Sequence, residues 1–570
     1  MRKRILSVLA IATALSVAGT AMAAEKTVTL AVKGMYCSAC PYIVQQSLTK
    51  VPGVGNVAVS YEEKTATVTY DDQKTTVVSL TAATTQAGYP SQPTTAAAAS
   101  RAMRDQGVYD LAIIGAGSAG FSAAINAAEL GAHVALVGRG TIGGTCVNTG
   151  CVPSKNLIRA MDAMHHVAAA ARFGGIQAVA QVADWQAVMR GKDALVNSLR
   201  RTKYIDLLPA YNAIAYIEGR ARLSQSGIVV DGRPLGADKV IIATGASPAL
   251  PPIPGIETVP YLTSTTALYL ERLPRSLLVI GGGYIGCELG QMFARAGVAM
   301  TIVDIVPILS AGEPEVSAAL ARYLREEGIV LHEGVRPTVI RKTGHGIALE
   351  ISSGGKSEAL DAEEVLVTTG RRPNTAGLGL EQVGVDLLPN GGVAVDDRMR
   401  TTKAGIYAAG DVTGRDQFVY MAAYGARIAA ENALDGDGKR YDASAMPSIV
   451  FTDPQVASVG LTEVQARDEG LAVKTSVLLL DQVPRALAAR DTRGLFKLVA
   501  EAQSGKLLGA HLLAPEGAVS IQTAALALKG GLTVEQLAET IFPYLTTVEG
   551  LKLAAQSFAK DVTRLSCCAG

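Results

Sequence analysis

The chemistry of this chain is carried by sulfur. Six of its seven cysteines fall into pairs, Cys37-x-x-Cys40, Cys146-x-x-x-x-Cys151 and the adjacent Cys567 and Cys568, and Cys287 stands alone. Thiolates are the soft ligands among side chains, so three thiol pairs point to the handling of a soft metal ion. The vicinal pair suits that role better than a structural disulfide, because bridged cysteines need converging Cβ atoms and neighbours converge only with strain. Cys37 and Cys40 open a predicted helix whose N-terminal dipole favours thiolate, and two sulfurs at that spacing can hold Hg(II) or Cu(I) in near-linear coordination. Zinc would call for more ligands. Cys146 and Cys151 stand in Gly143-Gly144-Thr145-Cys146-Val147-Asn148-Thr149-Gly150-Cys151-Val152-Pro153-Ser154-Lys155. The Gly-rich flank and the helix start that follows mark them as a redox-active dithiol rather than two inert core thiols.

The elements that must position these thiols are legible from apolar periodicity. Over residues 25–91 the chain alternates strand, helix, strand, strand, helix and a weak last strand, a ferredoxin-like βαββαβ unit with Cys37 and Cys40 in its first loop. An apolar strand from Val108 to Ile114 leads through Gly115, Gly117 and Gly120 into a helix, and Val134 to Val137 makes the next strand. A second copy runs from Leu277 to Ile280 through Gly281, Gly283 and Gly286, with a strand from Ala299 to Val303. Both are dinucleotide fingerprints in strand-turn-helix context, where backbone N–H groups at a helix N-terminus meet pyrophosphate. Two such folds in one chain point to FAD plus a nicotinamide cofactor. At the end of the second strand, where a carboxylate grips the adenosine ribose, the first copy has Gly138 and the second Asp304. FAD must therefore be held there by other groups, and Asp304, which accepts from a free 2′-hydroxyl and repels a 2′-phosphate, leans the choice between NADH and NADPH towards NADH.

A length of 570 residues allows three or four domains, and a formal net charge of +1 provides no field that would draw nucleic acid. Arg2, Lys3 and Arg4 ahead of an apolar run and Ala21-Met22-Ala23 form a signal-like segment over 1–24, too short for a spanning helix of about 20 residues. That segment suits export, whereas FAD and reduced nicotinamide are cytosolic; a cytoplasmic catalytic body is the preferred reading, with membrane anchoring or periplasmic export left open. A linker without core-forming pattern covers 92–107.

Residues 25–91 resemble the heavy-metal-associated domain, and more closely the periplasmic mercury-binding proteins, through Gly34-Met35-x-Cys37-x-x-Cys40-Pro41-Tyr42. From Val108 onward the chain resembles the pyridine nucleotide-disulfide oxidoreductases, through the dithiol motif, Ala243-Thr244-Gly245, Thr369-Gly370-Arg371-Arg372-Pro373-Asn374 and Tyr407-Ala408-Ala409-Gly410-Asp411. The resemblance implies an α/β fold: two Rossmann-like nucleotide-binding domains plus an α+β C-terminal dimerisation domain, preceded by the ferredoxin-like metal-binding domain. It implies an FAD-binding domain in two parts (108–255 and 376–446), an NAD(P)-binding domain (256–375), a dimerisation domain (447–563) and a thiol tail (564–570). By the same likeness Cys151 lies against the flavin, Cys146 is the outer interchange thiol, Lys155 pairs with Glu288, and Gly144, Thr145, Lys155, Thr244, Gly245 and Asp411 contact FAD.

Which branch of the family this is turns on a missing residue. Disulfide reductases of the family carry a histidine before Pro that moves protons to the departing thiol; here Phe542-Pro543-Tyr544-Leu545-Thr546-Thr547-Val548-Glu549 puts Tyr544 where it belongs, and the only histidine after His345 is His511. Reducing Hg(II) to Hg(0) needs electrons and ligand release, so the base can be dispensed with. The likeness therefore runs to the Hg(II)-reducing, mercury-detoxifying branch, with Tyr204 and Tyr544 beside the metal, although tyrosines more often serve cores and interfaces. The metal is then held in turn by Cys37 and Cys40, by Cys567 and Cys568 of one subunit, and by Cys146 and Cys151 of the partner in a homodimer. Small thiols deliver the Hg(II), and a membrane mercury transporter is an optional further partner. The alternatives are an FAD-dependent disulfide reductase such as dihydrolipoamide dehydrogenase, and a metal-sequestering protein.

Overall fold

The computed structural model describes residues 25–35, 40–61, 63–93 and 108–564. The signal-like segment, Cys37, Cys567 and Cys568 lie outside the described residues. The chain forms two units, one up to Gln106 and one from Gly107 onward.

In the first unit, alternating residues of Thr65–Asp71 turn Ala66, Val68 and Tyr70 inward, as a half-buried strand must. The sheet order is Val54–Ser60, Thr65–Asp71, Glu25–Val32, Ser91–Pro93, all antiparallel. Helices Cys40–Thr49 and Val77–Gln86 close one core with it, contributing Val44, Leu48 and Leu80. This is the βαββαβ arrangement that the periodicity predicts, with the last strand only three residues long.

The second unit starts from the near-continuous apolar strand Val108–Ile114, buried on both faces as the centre of a parallel sheet requires. Its parallel neighbours run in the order Ile214–Glu218, Val134–Gly138, Val108–Ile114, Arg233–Ile242 and Ile406–Ala408. Strands Gly227–Val230 and Ala221–Ser224 extend the sheet antiparallel. A second parallel sheet runs Leu262–Thr263, Glu364–Val367, Ser276–Ile280, Ala299–Asp304, Val330–Glu333. Each fingerprint feeds a helix from its central strand, Ser118–Glu129 in the first and Tyr284–Arg295 in the second. Gly115 shows why glycine is required there: at φ 122° an added Cβ would stand 2.2 Å from the Ala243 carbonyl. Gly281 repeats this against the Thr368 carbonyl at 2.7 Å.

The C-terminal part is an antiparallel five-stranded sheet, Ser448–Val450, Gln455–Gly460, Leu507–Ala514, Leu495–Glu501, Val473–Leu479, with helices Gly517–Lys529 and Glu549–Gln556 on its core. Together these parts give the expected α/β class with an α+β C-terminal domain. Exposed Val519, Leu526, Ile541 and Leu545 leave apolar surface on this domain, of the kind a second subunit covers.

Candidate functional site

Cys146 and Cys151 lie on separate helices. Gly144–Thr149 forms a short helix carrying Cys146, and Gly150, at φ −132° and ψ −111°, breaks it so that Cys151 becomes the first residue of Cys151–Ala169. An added Cβ on Gly150 would stand 3.0 Å from the Thr145 carbonyl, so the break is tightly packed. Both thiols are free and half-buried. The Cys146 thiol donates to the Cys151 sulfur, and this, with Lys155 one turn along the helix, pulls the Cys151 pKa down to about 7 against burial and the field of Glu288. The same hydrogen bond, reinforced by burial, pushes the Cys146 thiol up. One sulfur is thus poised as thiolate and the other holds the proton.

Lys155 is fixed by Glu288, its Nζ 2.7 Å from Oε2. Glu288 is 5% exposed, and its other oxygen accepts from the Phe451 backbone N–H at 2.9 Å. Lys155 also stands 4.9 Å from the centre of the Phe451 ring. Tyr204 occupies a π-helical turn, Arg201–Ile205, that continues helix Trp185–Arg200. Its ring meets Phe121 edge-on at 4.9 Å, its hydroxyl bonds Ser118, and burial pushes its pKa up, with the two thiols adding to the rise. Tyr544, by contrast, is 46% exposed in the loop ahead of helix Glu549–Gln556 and does not line the cavity that holds Cys146 and Cys151. Cys40 is buried in the first unit, and Cys287 is a packed thiol donating to the Gly282 carbonyl at 3.3 Å.

A cavity of about 1900 Å³ joins Cys146, Cys151, Lys155 and Glu288 to both fingerprints, lined also by Gly117, Gly283 and Asp304 among others. Single small ligands occupy ~300–1,000 Å³, so there is room for two dinucleotides. Asp304 accepts from the Gly282 N–H at 2.6 Å and from the Val306 N–H at 3.2 Å, which holds its carboxylate at the second turn. Thr244 and Gly245 are tied to Asn374: Thr244 donates to its carbonyl at 2.8 Å, and the Gly245 carbonyl accepts its backbone N–H at 2.9 Å. Asp411 faces Arg371 at 3.6 Å; burial raises its pKa and the guanidinium opposes the rise.

Other residues of this wall escaped the sequence reading. Tyr420 bonds the Pro447 carbonyl, stacks on Phe418 at 5.4 Å, and lies close enough to Cys151 for that thiol to add to the pKa rise that burial causes. Phe451, whose N–H meets Glu288 and whose ring faces Lys155, is another. The segment Phe418-Val419-Tyr420 offers an aromatic pair at a helix start, a pattern that spacing alone does not separate from ordinary packing.

Residues 109–430 match the family described as pyridine nucleotide-disulphide oxidoreductase, and residues 446–555 match its dimerisation domain. The chain belongs to the pyridine nucleotide-disulphide oxidoreductase family. Residues 29–90 match the heavy-metal-associated domain. Among relatives of this oxidoreductase, mercuric reductase of Lysinibacillus sphaericus is 44% identical over 95% of this chain and 99% of that protein. Mercuric reductase of Streptomyces lividans is 48% identical over 81% of this chain and 98% of that protein. Among solved structures, the HOCl-induced flavoprotein disulfide reductase RclA from Escherichia coli aligns with TM-score 0.70 and 32% identity over 79% of this chain and 100% of that one. The family's cofactors are FAD and NAD(P)H, and the two turns fit them: in each, a carbonyl crowds the first glycine while an added Cβ on the third residue, Gly117 or Gly283, would meet nothing closer than 3.5 Å, leaving that side open for phosphate.

Proposed function

We propose that this oxidoreductase, a homodimer, reduces Hg(II) to Hg(0) with electrons from NAD(P)H, and that its cysteine pair is the site of reduction. The observation that carries the reading is the asymmetric dithiol, one sulfur near thiolate at neutral pH and the other protonated, beside the Lys155–Glu288 pair, in a chain that has Tyr544 in place of a proton-shuttling histidine.

Hg(II) arrives on small thiols, Cys567 and Cys568 of one subunit displace them, and the ion reaches the dithiol of the second subunit as a complex with these two carrier thiolates. The Cys151 thiolate attacks the metal and one carrier thiolate leaves, taking the proton that Cys146 holds. The Cys146 thiolate so formed displaces the second carrier, and the ion is then held by two sulfurs. FAD, when bound, supplies a two-electron carrier between the nicotinamide and this site. Two electrons convert the sulfur-held ion to Hg(0) and return two thiolates, one of which is reprotonated. Lys155 keeps positive charge beside Cys151, and Glu288 keeps Lys155 in place. Gly115, Gly117, Gly120, Gly144, Thr145, Thr244, Gly245 and Asp411 hold FAD, and Gly281, Gly283, Gly286 and Asp304 hold the nicotinamide nucleotide. Tyr204 beside the thiols and Tyr544 from the second subunit ease release of sulfur ligands, so each site is shared between subunits. Cys567 and Cys568 hand the ion across that boundary, and Cys37 and Cys40 capture it earlier, from small thiols or a membrane transporter.

The domain limits read from the sequence are proposed for this division of labour, together with a cytoplasmic catalytic body. No helix among the described residues is long and apolar enough to cross a membrane. The test is oxidation of NADH by the purified protein with Hg(II) and excess thiol, set against oxidised lipoamide and glutathione, in wild type and Cys146→Ala. Turnover with Hg(II) that Cys146→Ala abolishes supports the assignment; turnover with the disulfides alone overturns it.

A further inference from the structure

The first fingerprint lacks the strand-end carboxylate that an adenosine ribose calls for, and the second copy shows what that carboxylate does. There Asp304, the last residue of its strand, accepts from the N–H of Gly282, the second residue of the turn, at 2.6 Å. In the first copy the same two places are Gly138 and Ala116. A Cβ built on Gly138 would lie 2.7 Å from the Ala116 methyl and 2.7 Å from the Tyr216 hydroxyl oxygen. The room for a side chain at 138 is therefore filled, and what fills it is a polar atom from the neighbouring strand. Register puts it there: Ile214–Glu218 runs parallel to Val134–Gly138 with Leu136 opposite Tyr216 and Gly138 opposite Glu218, so the long Tyr216 side chain reaches along the sheet to its C-terminal edge.

Tyr216 lines the large cavity beside Gly117, Arg139, Gly140 and Gly219, whereas Glu218, the other acceptor at this edge, is exposed and does not. Among the described residues the Tyr216 hydroxyl has no protein hydrogen-bond partner. Burial, reinforced by Glu218, pushes its pKa above the ordinary phenol value, so it stays protonated and able to donate.

We infer that the Tyr216 hydroxyl replaces the missing carboxylate and hydrogen-bonds a ribose hydroxyl on the adenosine half of FAD. The inference rests on FAD occupying the first fingerprint. Phenol and carboxylate compete for one space, so Gly138 and Tyr216 function as a pair.

The test reads FAD binding directly, by stripping the flavin and titrating it back with its fluorescence as signal. Tyr216→Phe keeps the ring and removes only the hydroxyl; FAD should bind about 2- to 12-fold more weakly, the span of one neutral hydrogen bond. Ala116→Gly/Gly138→Asp/Tyr216→Leu copies the second fingerprint, where Gly282, Asp304 and Leu331 stand at these places, and should regain at least the wild-type affinity. Gly138→Asp alone, with Tyr216 in the way, should fall below both. Equal affinity in wild type and Tyr216→Phe overturns the inference and leaves the reductase assignment standing. A wild type that takes up no FAD overturns both.

Discussion

The asymmetry of the dithiol can be tested by removing its donor. Cys151 owes its pKa of about 7 first to the hydrogen bond from Cys146 and then to Lys155, while burial and Glu288 push the other way. In Cys146→Ala the leading cause disappears and burial remains, so the Cys151 midpoint should climb towards the ordinary 9.0. Two units correspond to about 2.7 kcal/mol, or ~100-fold in the thiolate-to-thiol ratio. At pH 7 the thiolate fraction would fall from about half to about 1%. The rate of alkylation falls less than that, because a more basic thiolate is a better nucleophile; a Brønsted slope of ~0.45 returns about 8-fold over two units.

The net loss at pH 7 is therefore only about 6-fold, and the midpoint of the pH profile discriminates better than a single rate. The assay is iodoacetamide modification of Cys151 in the reduced holoenzyme, followed by peptide mass spectrometry from pH 5 to 10. The sign follows from the charge: a thiol with a lowered pKa reacts above about pH 7, and the variant should begin to react only at higher pH. Glu288→Gln should move the midpoint downward, since the carboxylate's field raises it. A Cys146→Ala midpoint unchanged from wild type would falsify the hydrogen-bond account and leave Lys155 and the helix N-terminus as the cause.

Two further outcomes are expected. Asp304→Ala removes the acceptor that meets Gly282 at 2.6 Å and the group that repels a 2′-phosphate; the ratio of kcat/KM for NADPH to that for NADH should rise on the order of 10-fold, about 1.4 kcal/mol, and an unchanged ratio would assign cofactor choice elsewhere. Arg295→Met leaves Asp162, Glu327 and Asp453 facing one another without their shared guanidinium; thermal denaturation of the holoenzyme should show a loss of ~3–5 kcal/mol, and a loss within 1 kcal/mol would mean that Arg493 alone suffices.

Much of this site was readable because its parts are local. Each fingerprint packs strand, glycine turn and helix into consecutive residues, so apolar runs and glycines mark it: strand Val108–Ile114 and the helix from Ser118 stand where periodicity puts them. The same holds for the thiols, whose spacing shows a dithiol but not that Gly150 splits them between two helices. Lys155 and Glu288 are far apart in sequence, and only family resemblance paired them. Tyr216 was illegible for a deeper reason. Its role depends on the register of two parallel strands joined by a long connection, and on an absent side chain at Gly138 whose consequence appears only where the strands meet. Tyr420 and Phe451 likewise reach the site from distant segments.

The ion pair beside the thiolate belongs to a ladder. Lys155 and Asp162 lie seven residues apart on helix Cys151–Ala169, and Glu288 and Arg295 lie seven apart on helix Tyr284–Arg295; Lys155 meets Glu288 and Asp162 meets Arg295, each at 2.7 Å. Seven residues is close to two turns, so the matched spacing sets the two helices parallel and in one register. Between the rungs, Gln291 accepts from the Asp453 N–H at 2.8 Å and donates to the Asp453 carbonyl at 2.9 Å, while Glu288 takes the Phe451 N–H. One face of the second fingerprint helix thus grips both the thiol-bearing helix and the start of the dimerisation sheet. Buried pairs of this kind add little net stability over apolar packing, yet breaking half of one is costly. Their use here is positional: sliding the helices by one residue would unpair both rungs at once, so Lys155 is held at a fixed distance from Cys151.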